Sequence, residues 1–259
     1  LTTPLVRFST TNEFYFRSMP KKIKLLDLLV QKWPNYSREQ LLSYILCGEV
    51  KSENQTLRDP KILVDSNQTI SLTPKRFVSR AGYKLDAALT EWQFDVKDKV
   101  VLDVGASTGG FTDSLLQHGA KLVYSVDVAR GFLDPRLCRD PRVVNLEGTN
   151  LWDIPSLDPI PQGAVVDVSF RSVDEVVPFL MEKVSEKWVL CLVKPQFEFK
   201  RFGKSMSDFD GVLDLKEARD TLENLLQHLD TKGIRTQKMM ASPQKGRKGN
   251  QEFLVLFSD

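Results

Sequence analysis

The stretch Val100 to Asp113, reading Val-Val-Leu-Asp-Val-Gly-Ala-Ser-Thr-Gly-Gly-Phe-Thr-Asp, constrains the fold of this chain more than any other. An apolar, β-branched run closes at Asp103 and Val104, passes through a glycine-rich turn and enters Phe111 to Leu116, where the apolar spacing is helical. A strand, turn and helix of this kind belong at the carboxyl end of a central parallel strand, where an open α/β sheet gathers its ligands. Gly105, Gly109 and Gly110 permit positive φ and let a ligand approach the backbone. Their spacing, Gly-x-x-x-Gly-Gly, is not the dinucleotide Gly-x-Gly-x-x-Gly, so nothing places a pyrophosphate on the helix and a nicotinamide enzyme is the least favoured reading. A second apolar strand, Leu122 to Val126, ends in Asp127, whose carboxylate can accept hydrogen bonds from both hydroxyls of a ribose.

The flanking segments extend the alternation. Ser79 to Glu91 is an expected amphipathic helix with Leu85, Ala88 and Leu89 on its buried side. Strands are expected at Val143 to Glu147, Ala164 to Val168, Trp188 to Val193, Arg235 to Met239 and Glu252 to Phe257, with helices at Val173 to Lys183 and Lys216 to Gly233. This order predicts an α/β fold, a mostly parallel and doubly wound sheet with its ligands at the strand ends. Asp127, Glu147, Asp167 and Lys194 fall at those ends, with Lys194-Pro195 expected in a turn that projects the ammonium over the sheet edge.

Two helices precede this domain. Lys24 to Trp33 carries Leu25, Leu26, Leu28, Leu29 and Val30 and stops at Pro34; Ser37, three residues before Gln40, opens a second helix that runs to Gly48. A polar loop follows, then strand-like runs at Ile62 to Val64 and Thr69 to Leu72. A unit of about fifty residues buries little surface and is expected to bind or lean on something. Leu26-Asp27-Leu28-Leu29-Val30, Ser37-Arg38-Glu39-Gln40 and Ile45-Leu46-Cys47-Gly48-Glu49-Val50 resemble the small RNA-binding domain named after a ribosomal protein of the S-four type. The match departs at Lys24 and Leu25, where an arginine is usual, and at Lys51 to Gln55, where Val-Asn-Gly is usual.

Composition sets the remaining bounds. The 259 residues suffice for a large α/β domain and a small one, and no apolar run reaches the ~18 residues of a membrane span. A net charge of +2 conceals clusters at Lys21, Lys22 and Lys24; Lys75, Arg76, Arg80 and Lys84; Lys200, Arg201 and Lys204; and Lys245, Arg247 and Lys248. Cys47, Cys138 and Cys191 read as reduced core thiols of a cytoplasmic protein, and with His118 and His228 unclustered no metal site is expected. Residues 1–20 are expected to be a disordered leader, residues 21–74 the RNA-binding domain, 75–78 a linker and 79–259 the catalytic domain.

Five blocks in order resemble the TlyA family: Ser79-Arg80-Ala81-Gly82-Tyr83-Lys84-Leu85, Asp103 to Asp113, Val165-Val166-Asp167-Val168-Ser169-Phe170, Val193-Lys194-Pro195-Gln196-Phe197-Glu198 and Lys248-Gly249-Asn250-Gln251-Glu252-Phe253. The resemblance implies a Rossmann-like, FtsJ-like methyltransferase domain that uses S-adenosyl-L-methionine to methylate a ribose 2′-hydroxyl, cytidine by family, in ribosomal RNA. It also implies a Lys-Asp-Lys-Glu catalytic tetrad at Lys84, Asp167, Lys194 and Glu252. The implied cofactor contacts are Asp103, Gly105, Ala106, Ser107, Gly109, Gly110, Asp127, Glu147, Asn150 and Asp167. RNA phosphates are expected to meet Lys21, Lys22, Lys24, Arg38, Lys51, Arg76 and Arg80. Gly148 stands where a basic residue is common in the family, and Ala81 where glycine is common.

A lysine is protonated at neutral pH and must be pressed to give up a proton before it can serve as a base. A second ammonium about 4 Å away repels it by about 4 kcal/mol at an effective dielectric near 20, so Lys84 is expected to prime Lys194 while Asp167 and Glu252 orient the amines. Some members of the family are described as haemolysins, which makes a membrane-active cytolysin the competing reading; an RNA-binding assembly factor on a retained fold is another. The absence of a secretory signal and of a strongly amphipathic basic helix counts against the first, the intact tetrad against the second.

Overall fold

The structure, a computed structural model, describes residues 21–259 apart from 47, 54, 74, 75, 170, 204–208 and 247. The expected leader lies outside the described residues, as do Cys47, Lys75, Phe170, Lys204 and Arg247. The chain divides into two compact units, Leu1–Thr73 and Pro74–Asp259.

In the first unit, β1 (Lys22–Lys24) leads into α1 (Leu25–Lys32) and α2 (Arg38–Leu46), followed by β2 (Val50–Ser52), β3 (Gln55–Thr56), β4 (Leu63–Asp65) and β5 (Ser71–Leu72). Leu25, Leu28, Leu29, Leu41, Ile45, Val50 and Val64 form one small core. Gly48, at φ +73°, ends α2 as expected, its N–H reaching Ile45 O at 3.0 Å. The first part of the expected polar loop after it is instead strand, while Leu57 to Pro60 stays irregular: β2 pairs antiparallel with β3 and β5, and β4 pairs with β1. Lys51 alternates with the buried Val50 and Ser52, so the charge that suggested a loop is the outward side of a strand.

The second unit runs α3 (Arg80–Trp92), β6 (Val100–Val104), α4 (Gly110–Gln117), β7 (Leu122–Asp127), α5 (Pro135–Cys138), β8 (Val143–Glu147), β9 (Gly163–Val166), α6 (Val173–Lys183), β10 (Trp188–Val193), α7 (Pro195–Phe202), α8 (Leu215–Thr231), β11 (Arg235–Ala241) and β12 (Phe253–Ser258). Its seven-stranded sheet has the order β11-β12-β10-β9-β6-β7-β8. Strands β8, β7, β6, β9 and β10 are parallel, and β12 and β11 close one edge antiparallel. Side-chain alternation sends Leu102 and Val104 into one core with Val176, Leu180 and Leu225, and Val101 into another with Leu85, Leu89 and Leu115. Burying each such side chain supplies about 1.5–3 kcal/mol, so the two layers clamp the sheet from both faces.

Arg76–Val78, expected in the linker, is fastened to this unit. Phe77 is fully buried, Val78 N–H donates to Asp113 Oδ2 at 2.8 Å, and Arg76 forms two hydrogen bonds to Asp86. Cys191 is buried as expected, but Cys138, at the end of the short α5, is exposed.

A Cβ added at Gly110 would lie 2.8 Å from both Ala81 Cβ and Gly82 N. Helix propensity favours alanine over glycine by about 1 kcal/mol, whereas overpacking costs about 1–3 kcal/mol. Packing is expected to win: Gly110→Ala lowers unfolding stability in urea, and a gain in stability would show that α3 and α4 do not meet this closely.

Candidate active site

The chain passes from β6 outward to β8 and returns to the other side of β6 at β9, so the order reverses between β6 and β9. At this switch point Asp167 N–H donates to Val104 O at 3.0 Å, and a Cβ on Gly105 would stand 2.6 Å from Asp167 O. Gly105 holds φ +82°, a conformation that an L side chain rarely adopts. Two hollows open from this junction.

The first, about 330 Å³, is lined by Gly105, Asp127, Val128, Thr149, Asn150, Asp167 and neighbouring residues. Asp127 Oδ2 accepts from Ser107 N–H and Oδ1 from Ala129 N–H, each at 2.8 Å. Each oxygen keeps a further lone pair for a hydroxyl. Asn150 caps a short 3-10 turn through Trp152 N–H at 3.2 Å and remains on the wall.

The second, about 770 Å³, is lined by all four tetrad residues together with Arg80, Ser107, Gln196, Phe197, Lys248 and Asn250. The antiparallel pairing of β12 with β10 explains the convergence: Val193 lies opposite Phe253, so the residue before β12, Glu252, stands at the same sheet edge as Lys194, the residue after β10. Lys84, one turn into α3, meets Glu252 Oε2 at 2.5 Å. Lys194 Nζ lies 2.6 Å from Asp167 Oδ1 and donates to Val168 O at 3.0 Å and Ser169 Oγ at 3.2 Å. The Lys194–Asp167 contact is an ion pair without hydrogen-bond alignment, and the buried Asp167 Oδ1 has no hydrogen-bond donor. Each lysine therefore has its own carboxylate, an arrangement that offsets the ammonium repulsion expected from the sequence.

Lys194 is not in a simple turn. It is the N-cap residue of α7, with Pro195 in the first helical turn, so the helix start sets where its ammonium points. Thr149, within the expected adenine-side stretch Glu147 to Asn150, and Lys248, from one of the basic clusters, also line the hollows; Arg171, Ser169 and Asn250 line them too and were not given a role by the sequence reasoning. Lys248 and Asn250 sit inside the block around Glu252, which was the available signal; for Arg171 only its nearness to Asp167 pointed there.

Other expected cofactor contacts serve the scaffold. Asp103 is fully buried and accepts from Thr112 Oγ1 at 2.5 Å, tying α4 to β6. Cβ atoms at Gly109 and Gly110 would run into Leu133 and Ala81, so these glycines make room for the chain's own side chains. Ala106 is buried and lines neither hollow. Glu147 faces the loop after β7, accepting from Phe132 N–H at 2.7 Å and Leu133 N–H at 2.9 Å. Desolvation opposes its ionisation, but hydrogen bonds from Asn145 and from the Leu133, Phe132 and Gly131 amides outweigh that and hold its carboxyl at about 2. Gly148, at φ +77°, leaves the space that the Arg130 guanidinium occupies.

Of the expected RNA contacts, Arg80 lines the larger hollow. Arg76 is committed to Asp86 and to the Phe77 ring, 4.6 Å away, which leaves its guanidinium little capacity for a phosphate. Lys21, Lys24 and Lys51 are exposed on the first unit; Lys22 pairs with Asp65 at 3.1 Å and Arg38 with Asp27 at 2.9 Å, both in solvent-exposed pairs of small worth. Among the described residues no cluster of metal-ligating side chains occurs, and no helix is long and apolar enough to cross a membrane.

A doubly wound sheet of this order, edged by an antiparallel hairpin and hollowed at its switch point, is the frame of a Rossmann-like methyltransferase. The chain belongs to the FtsJ-like methyltransferase family, which it matches over residues 77–258, and it is a methyltransferase by that membership. Hemolysin A of Brachyspira hyodysenteriae is 42% identical over 70% of this chain and 77% of that protein. The 16S/23S rRNA (cytidine-2′-O)-methyltransferase TlyA of Mycobacterium tuberculosis is 33% identical over 92% of this chain and 90% of that one. A solved structure from Streptococcus thermophilus, 33% identical, superimposes with a TM-score of 0.66 over 93% of this chain and 90% of its own.

Burial pushes the Asp103 carboxyl up to about 7, against the hydrogen bond from Thr112, with Asp167 and Asp127 adding to the rise. A folded carboxyl raised above its unfolded value holds an extra proton between the two, so stability is full below about pH 4 and declines as pH rises towards 7, by up to about 1.4 kcal/mol per pH unit. Asp103→Asn is expected to flatten that decline in urea melts at pH 4 to 7. An unchanged slope would mean Asp103 is ionised throughout.

Proposed function

We propose that this chain transfers a methyl group from S-adenosyl-L-methionine to the 2′-hydroxyl of a ribose, that of cytidine, in ribosomal RNA, and so works in the cytoplasm. The observation that carries this reading is the pair of lysine–carboxylate contacts, Lys84–Glu252 and Lys194–Asp167, in a cleft that shares the Asp167 and Ser169 wall with a nucleoside-sized hollow.

The smaller hollow fits the cofactor in its donor set. Asp127 would hold the ribose hydroxyls, Val128, 68% exposed on the hollow, would cover an adenine face, and Asn150 would meet its polar edge. Bound there, the cofactor supplies a methyl group already activated on a sulfonium. The residues of the cleft must then align an acceptor oxygen and take one proton. Alignment supplies roughly 7–11 kcal/mol, and a positioned base roughly 10²- to 10⁴-fold in rate, so holding the ribose is the larger contribution. Lys194 receives the hydroxyl proton in its neutral amine form, after its own proton has passed to solvent; Asp167, Val168 O and Ser169 orient that amine. Lys84, fixed by Glu252, faces the same cleft and holds the hydroxyl in line. Arg80 and Lys248 offer cations to the phosphates of the strand entering the cleft. The first unit, read as an S-four-type domain, docks RNA through Lys21, Lys24 and Lys51, with Lys22 and Arg38 able to exchange their exposed carboxylate partners for phosphates.

Radiolabelled methyl transfer to unmodified ribosomal subunits, followed by mapping of ribose methylation, tests the reading. Wild type is expected to label a cytidine ribose, Lys194→Ala to lose about 10²- to 10⁴-fold at saturating RNA, and Lys194→Arg, which keeps the charge but cannot give up its proton, to be as poor. Active Lys194→Arg would remove the base role. No label from wild type with cofactor bound would remove the substrate. Lysis of erythrocytes by the pure protein, undiminished in Lys194→Ala, would favour the cytolysin that the Brachyspira hyodysenteriae relative's name suggests.

The docking surface makes a separate prediction. Lys24→Ala combined with Lys51→Ala is expected to weaken RNA binding and to reduce the slope of log K against log salt by about 1–2, with cofactor affinity unaltered. An identical slope would show that these cations do not meet phosphates.

A further inference from the structure

One buried carboxylate near the tetrad plays no part in the chemistry described so far. Glu198 is 2% exposed on α7, one turn beyond Lys194. Its Oε1 accepts from Val173 N–H at 2.8 Å and its Oε2 from Ser172 Oγ at 2.7 Å. Ser172 and Val173 begin α6, and the segment from Asp167 to Ser172 is the exit from β9. The Ser172 side chain does not cap its own helix; the cap comes from Glu198, across from another helix.

We propose that Glu198 is a positioning residue for methyl transfer: it stitches the helix that starts at Lys194 to the segment that carries Asp167 and Ser169, and so fixes where the Lys194 amine stands. Lys194 itself is long and flexible, and its three polar partners, Asp167 Oδ1, Val168 O and Ser169 Oγ, all belong to that one segment. The amine is therefore aligned only as well as α7 is registered against the segment. Glu198 supplies that register from inside the core, where a charge-assisted bond is strong and an unmatched group costly. Burial raises the Glu198 carboxyl, while the Val173 and Ser172 bonds and the Arg201 cation oppose the rise and Asp174 adds to it. A second contact, Arg201 to Asp174 at 2.7 Å and to Glu175 at 3.1 Å, joins the same helices one turn further on, but the guanidinium is 49% exposed and Asp174 also holds Lys232. A misplacement of about 1 Å at a reacting group can cost about 10²-fold, so a stitch of this kind registers in turnover before it registers in binding.

This inference rests on the methyl-transfer reading, and the test separates the two. Wild type, Glu198→Gln, Glu198→Ala, Ser172→Ala and Arg201→Ala are compared in full-length form for kcat and KM on unmodified ribosomal subunits, cofactor Kd, melting temperature and the pH profile of kcat. Glu198→Ala is expected to lose 10- to 100-fold in kcat with a displaced pH profile and cofactor Kd within about twofold. Glu198→Gln, which still accepts from Val173 and can donate to Ser172, is expected to recover most of the rate; Ser172→Ala should lose three- to tenfold, and Arg201→Ala should lower melting without lowering kcat. Unchanged kcat in Glu198→Ala beside an active wild type overturns the proposal, as does a rate loss matched by an equal loss of cofactor affinity, or by an equal rate loss in Arg201→Ala. Should Glu198→Ala not fold, Ser172→Ala and Glu198→Gln decide, full rate in the first or none in the second being fatal. Should wild type transfer no methyl, the substrate reading fails and Lys194 is followed directly. Reductive methylation by formaldehyde, mapped by mass spectrometry across pH, is expected to modify Lys194 at a different rate in Ser172→Ala than in wild type, and identical rates overturn the stitch.

Discussion

The close approach of Gly105 to the main chain of Asp167 is the contact on which the rest of the site depends. Parallel pairing of β6 with β9 brings the two strand ends together, and the missing side chain at position 105 lets them stay within hydrogen-bonding reach beyond the last paired residues. Any Cβ there would meet Asp167 O and would also force a left-handed backbone on a side chain that resists it. Because Asp167 lines both hollows, a shift at this point would move the wall between them. The glycine turn is thus first a packing solution: Gly105, Gly109 and Gly110 give their space to Asp167, Leu133 and Ala81, and the nucleoside-sized hollow is what the tightly drawn backbone leaves beside Asp127.

The lysine–carboxylate pairs are poor candidates for stabilising the fold. Lys84 and Glu252 are 12% and 5% exposed in their side chains, and at such burial desolvation consumes most of the attraction. What the pairing provides is definition: two flexible amines are each held to one place at the edge of the sheet. Glu252 is further enclosed by the turn at Gly246, where a Cβ would lie 2.6 Å from its Oε1. Removing either partner would leave a buried charge alone, so the pairs are kept together by the cost of separating them more than by the gain of forming them.

The alternation of strands and helices, the strand-end acids and the buried faces were legible because each rests on local periodicity. Strand parity also carried information that a motif reading overrides: Asp103 shares its face of β6 with Val101, which packs beneath α3 and α4, so its carboxylate meets Thr112 rather than the hollow. The start of α7 carried a signal in Pro195, yet Phe197, Phe199 and Phe202 mix buried and half-exposed positions, and the pattern does not announce a helix. The pairing of Arg76 with Asp86 was not legible, because Asp86 lies ten residues on, across the passage from an irregular segment into a helix, and no periodicity links them. The meeting of Lys84 with Glu252, 168 residues apart, follows only once β12 is known to run antiparallel to β10. A parallel β12 would have sent Glu252 to the opposite edge of the sheet.

The two hollows are built by different parts of the chain. The smaller is framed by the ends of β6, β7 and β9 and by the turn after β8, all within the parallel half of the sheet. The larger takes its outer wall from the turn between β11 and β12 and from the approach to α8, and one buried side chain joins these: Asn250 Oδ1 accepts from Leu213 N–H, and its Nδ2 donates to Gly211 O, each at 2.8 Å. Among the described residues, only Asp167 and Ser169 belong to both walls. The side that meets an acceptor strand can therefore change its loops, its charge and its shape while the nucleoside-sized hollow stays as the parallel strands make it. The segment Asp167 to Ser169 lines both hollows and also holds Lys194, at the start of α7, so the register of that segment against α7 bears on both hollows at once.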